Sequence, residues 1–110
     1  KMNYRENLQW LAYAEEADIL NVALFGFTAK AWREANPELA KKNNVRDFAT
    51  INELTVLSNL ESHNAQMIKE GKKKEERFKI LQEIAEYQLN VLNTAEKIKM
   101  LEDENQLVEI

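Results

Sequence analysis

His63 is the chain's single histidine, and it sits in the run Glu61-Ser62-His63-Asn64. A Ser-His-acid relay or a Cys-His pair needs a nucleophile held against its base. Neither is signalled: the chain has no cysteine, and the Glu-x-x-His spacing of carboxylate-bridged di-iron helices is missing. His63 borders an apolar stripe between Leu60 and Met67, which reads as a structural or surface histidine. Glu15, Glu16 and Asp18 gather three carboxylates in one stretch. A hard divalent cation takes about six or more oxygens, and one helical turn supplies few, so these read as a solvated acidic face. The two glycines are far apart, which leaves no glycine-rich loop to cradle a phosphate. The expectation is a non-enzymatic chain with no catalytic residue, no metal ligand, no cofactor and no small-molecule substrate.

Amides and basic side chains are the remaining candidates. Asn64 shares a helix side with Leu57, Leu60 and Ile68, and Asn59 lies nearby. A buried amide must find partners or cost about 1–3 kcal/mol. Asn64 is therefore expected to bond a backbone carbonyl near residues 44–49, with a ligand or partner contact as the alternative. Residues 18–35 have the outline of a helix-turn-helix, with Gly26 in the turn and Lys30 and Arg33 facing out. Together with Lys72, Lys73 and Lys74 these are the candidate DNA contacts. Three features weigh against a reading helix. Its basic residues are few and sit beside Glu34, Asn36-Pro37 cuts it to barely two turns, and Glu15, Glu16 and Asp18 would repel phosphate. The corner reads instead as structural, with Phe25, Phe27 and Trp32 plugging the second helix against the first and third. Trp32→Ala is then expected to cost about 3–5 kcal/mol.

The elements that must position these residues are helical. A chain of 110 residues is one domain's worth, and 45% hydrophobic residues can fill a core. Two Gly and one Pro are too few for the many turns of a β-rich fold, while Ala, Leu, Glu, Lys and Gln are good helix formers. The fold class is all-α, with four principal helices in a small bundle. Apolar periodicity predicts a first helix over about Asn3–Phe25, carrying Trp10, Tyr13, Ala17, Leu20 and Leu24, and ended by Gly26. Thr28 caps a short second helix over Ala29–Ala35, which Asn36-Pro37 stops. Residues 37–49 read as a loop with one helical turn at Glu38–Lys41. Thr50-Ile-Asn-Glu53 is a capping box opening a third helix to Glu70, with Leu54, Val56, Leu57, Leu60, Met67 and Ile68 on its stripe. Gly71 closes it, and a fourth helix starts near Lys73.

That last helix changes character along its length. From Phe78 to Leu92 the apolar stripe is broad enough for a globular core. A narrower seam of Ile80, Ile84, Tyr87, Val91, Thr94, Ile98, Leu101, Asn105 and Val108 alternates steps of four and three. This is a heptad pattern with β-branched residues common at a and Asn105 also at a, and Lys97, Glu102, Glu104 and Glu109 take flanking e or g positions. The chain divides into a bundle domain over 1–92 and a helical extension over 93–110. The extension either frays as a lone helix or pairs with another chain as a coiled coil, and Glu-rich flanks on both partners would oppose the pairing.

Net charge is −4, so nothing draws the whole chain to nucleic acid. Residues 69–79 hold six basic and three acidic side chains, and residues 80–110 hold two and seven. A solvated loop and a solvated helix face account for this, with attraction between chains as the alternative. No apolar run approaches the roughly 20 residues of a membrane span, and no signal peptide is visible. A cytoplasmic setting without a membrane partner is expected. The chain opens on Lys1 rather than Met, as expected of a fragment of a longer protein.

The segments "LFGFTAKAWREANP", "RDFATINEL" and "NLESHNA", with the order of the blocks around them, resemble the helical region that follows the KilA-N domain in phage-derived bacterial proteins. The resemblance covers about residues 10–92. It implies a C-terminal accessory domain of a DNA-binding protein from a mobile element. DNA would be bound mainly by a domain outside this chain, so no DNA-contacting residue carries over. The expected role is accessory and oligomerising, with homo-oligomer formation through the last helix. The alternatives are a regulatory protein-interaction module built on loop 37–49 and the basic elbow 69–79, or direct DNA contact through the 18–35 corner.

Overall fold

A computed structural model describes residues 3–109, with side chains to residue 104. The described residues are all-α. Four α-helices run over Glu16–Phe25 (α1), Ala29–Ala35 (α2), Ile51–Lys69 (α3) and Lys74–Glu109 (α4), joined by short 3-10 turns at Leu8–Tyr13, Leu39–Lys41 and Val45–Phe48. The caps form where side-chain chemistry demands them. The Thr28 hydroxyl accepts from the Ala31 amide at 3.1 Å, and Gly26 takes the left-handed φ of 87° that ends α1. At α3 the Thr50 hydroxyl accepts from the Glu53 amide at 3.1 Å, and the Glu53 carboxylate accepts from the Thr50 amide at 2.8 Å. Thr50→Ala should destabilise the chain by about 1 kcal/mol, read as a lowered urea midpoint with an unchanged slope.

The first predicted helix is corrected. Residues 3–25 are two segments, because Ala14 and Glu15 are extended, with ψ of 141° and 163°. The Asp18 carboxylate reaches back to the Glu15 amide at 3.1 Å and starts a new helix there. The chain before this break folds back along α1. Arg5 donates to the Ala23 carbonyl at 3.4 Å near the end of α1, and Lys74 donates to the Ala14 carbonyl at 2.8 Å near its start. Tyr13, placed on the buried stripe by its spacing, is 91% exposed as a result. Leu54 and Ile68, assigned to the α3 stripe, are also exposed.

The core is a three-helix arrangement. Ile19, Val22, Leu57, Leu60 and Leu81 are fully or almost fully enclosed, joined by Phe78 and Ala85. Asn52 meets Asn93 and Glu96, Asn59 meets Gln88, and Asn64 meets Arg77, so α3 runs antiparallel to α4. Trp32 in α2 packs on Phe48 with ring centroids 5.7 Å apart, and Phe25 stacks on Phe27 at 6.1 Å. The aromatic plug is therefore half-buried, and Trp32 closes on the turn before α3. The 36 residues of α4 make about 54 Å of helix, matching the 58 Å long dimension of the molecule.

Candidate functional site

Two stripes run along α4. Phe78, Leu81 and Ala85 are buried against α1 and α3, with Leu89 and Leu92 packed beside them. At about 100° per residue, Tyr87, Val91, Ile98 and Leu101 lie about 150° around the helix from that face. Tyr87 is 72% exposed, Ile98 52%, Leu101 50% and Val91 48%. Ile84, between the two faces, is half-buried. The start of α3 sits against residues 93–96 of α4 through Asn52. Beyond that point α4 continues to Glu109, roughly 20 Å past its neighbour. From Tyr87 to Leu101 the seam is thus an apolar stripe, broken once by Thr94, that its own chain leaves largely uncovered. Asn105 and Val108, also assigned to it, lie outside the described side chains.

No protein-family model, curated protein or solved structure matches the chain.

The basic candidates do not form one surface. Lys30 and Arg33 are exposed on α2, which follows the C-terminal end of α1. Lys72, Lys73 and Lys74 sit at the opposite end, where α3 turns into α4. The 19 residues of α3 separate these ends by roughly 28 Å. Lys74 is engaged by the Ala14 carbonyl, and Lys72 pairs with Glu76 at 3.6 Å. His63 is exposed on α3. Among the described residues no group of three or more His, Asp or Glu is placed to hold a metal ion, and no helix is long and apolar enough to cross a membrane.

The acidic stretch separates into distinct roles. Asp18 caps α1, while Glu16 reaches Arg77. The Arg77 guanidinium is almost wholly buried. It forks onto both Glu16 oxygens, the second at 3.2 Å, and also donates to Asn64 Oδ1 at 2.7 Å and the Lys72 carbonyl at 3.0 Å. Asn64 in turn donates to Glu16 Oε1 at 2.8 Å. Asn64 is buried as expected, but its partners are Glu16 and Arg77 rather than the backbone near 44–49. The Arg77 hydrogen bonds hold the Glu16 carboxyl below its ordinary value, against burial, which pushes it up; Asn64 and the charges of Arg77 and Lys74 lower it further. This triad ties α1, α3 and α4 together and presents no free nucleophile or base.

A groove of about 560 Å³ lies between the N-terminal segment and α2, lined by Tyr4, Phe27, Ala31, Trp32 and Asn36 among others. It is open to solvent and offers few polar groups to fix a ligand.

Proposed function

We propose that the chain is a non-catalytic accessory and oligomerisation domain, cytoplasmic, belonging to a DNA-binding protein of the KilA-N type. The uncovered stripe Tyr87–Val91–Ile98–Leu101 on α4 carries the oligomerisation part of this reading. Such a stripe at heptad spacing on a protruding helix is the seam that a second helix fills. The KilA-N setting rests on the motif resemblance alone. Joining two chains through α4 would hold two DNA-binding modules together and raise the effective concentration of the second at its half-site. Equilibrium sedimentation of the full chain tests the assembly. A dimer is expected at high micromolar concentration, and the exposed double change Ile98→Lys, Leu101→Lys should return it to monomer without lowering helix content. A full chain that stays monomeric throughout would overturn the reading.

A second reading is favoured by loop 37–49, where Leu39 and Phe48 remain exposed beside the exposed Ile51. It makes that corner the contact for a different protein. On this reading Phe48→Ser abolishes binding to the partner and leaves the sedimentation of the chain alone unchanged.

A further inference from the structure

We propose that the occupant of the α4 stripe is a second copy of this chain, aligned parallel and in register. The inference rests on the oligomerisation reading and adds its orientation.

Charge complementarity at the flanks of the stripe carries it. With Ile84, Val91 and Ile98 at a and Tyr87, Thr94 and Leu101 at d, the g positions are Glu83, Asn90, Lys97 and Glu104, and the e positions are Gln88, Ala95 and Glu102. In a parallel in-register pair, each g residue faces the e residue five places on in the other chain. Lys97 then meets Glu102 of the second copy, and the two-fold axis makes the contact twice. Both side chains are exposed, and neither is paired within its own chain among the described residues. The remaining described pairs, Glu83 with Gln88 and Asn90 with Ala95, bring no like charges together. The e partner of Glu104 lies beyond the described side chains.

An antiparallel pair centred on the same stripe reads differently. There g faces g and e faces e. Lys97 would face Asn90 and lose its carboxylate, and Glu83 would face Glu104 twice. Like charges at these positions select against that arrangement. The bundle does not obstruct the pair, because its core stripe is turned about 150° away, so the two bundles sit side by side at one end.

The absence of native cysteine permits a direct test. In a parallel in-register pair each a or d residue lies opposite its own copy, within the reach of a disulfide. Val91→Cys and Leu101→Cys, made separately in the full chain and oxidised, should both give the covalent dimer. Their positions are roughly 15 Å apart along the helix, so an antiparallel pair can link at most one of them. A dimer by sedimentation in which either variant fails to cross-link overturns the parallel register and leaves self-association standing. A monomer by sedimentation removes both. Charge reversal gives the second readout. Lys97→Glu should weaken dimerisation about tenfold, and adding Glu102→Lys should restore it. A double variant no tighter than the single overturns the assigned contact.

Discussion

Glu16→Ala is expected to destabilise the chain by about 3 kcal/mol, more than Arg77→Met, although both changes break the same ion pair. The asymmetry comes from burial. The Arg77 side chain is 6% exposed and the Glu16 side chain 43%. Removing the carboxylate strands a guanidinium among three helices, with only Asn64 Oδ1 and the Lys72 carbonyl to receive its donors. Removing the guanidinium leaves a carboxylate that can turn toward water, and Met keeps the aliphatic stem that Arg77 packs. Urea unfolding of the three chains at neutral pH measures the difference. If Arg77→Met costs as much as Glu16→Ala, burial of the cation is not what sets the energy.

The same triad gives the chain an acid-sensitive element. The folded Glu16 carboxyl titrates below its ordinary value, chiefly because Arg77 donates to it. A depressed folded value means that the linked stability is complete above the unfolded glutamate pKa of about 4.3. It is lost as pH falls through the lower folded value. The gap in stability between the parent chain and Glu16→Gln should therefore be widest near neutral pH and shrink below about pH 4. A gap that stays constant in acid would mean that Glu16 does not titrate against Arg77.

What the sequence makes legible is local. The Thr28 and Thr50 caps and the stop at Asn36-Pro37 follow from side chains within one turn of the feature they set. The break at Ala14–Glu15 does not, because its cap is a Glu with an Asp three residues on, rather than a Ser or Thr with a Glu. The apolar spacing runs through it and imitates one long helix, although the two halves lie side by side in space. Arg77 was hidden by its company in a run of lysines that reads as a solvated elbow. Its spacing was the available signal: Arg77, Leu81 and Ala85 recur at steps of four, which puts the cation on the buried edge of α4. Asn64 was legible as a buried amide. Its partners were not, since Glu16 and Arg77 are 48 residues before and 13 after it and meet only once three helices pack. Asn21 is buried with its Oδ1 unpartnered among the described residues; the sequence gives no physical reason for an amide there, and neither does the packing.

Trp10→Ala should likewise cost about 3 kcal/mol, while Trp32→Ala should cost about 1–2 kcal/mol. The sequence draws the eye to Trp32 instead, because it sits in an aromatic corner while Trp10 is one residue among several on the first apolar stripe. Packing reverses it. The Trp10 ring meets Phe78 edge-on at 5.2 Å and Tyr4 at 5.9 Å, and its indole N–H donates to the Tyr4 carbonyl at 2.8 Å. With the buried Leu11 beside it, this side chain fixes the folded-back segment 3–15 to the core at the start of α4. Truncation removes two aromatic pairs, leaves the Tyr4 carbonyl to water and opens a gap beside Phe78. Trp32 rests mainly on Phe48, which is itself 54% exposed, so its neighbours can close over the loss or accept solvent. Urea unfolding followed by far-ultraviolet dichroism compares the two without relying on tryptophan emission. Equal losses, or a larger loss at Trp32, would place the structural weight in the α2 corner and leave segment 3–15 as a loosely held flap.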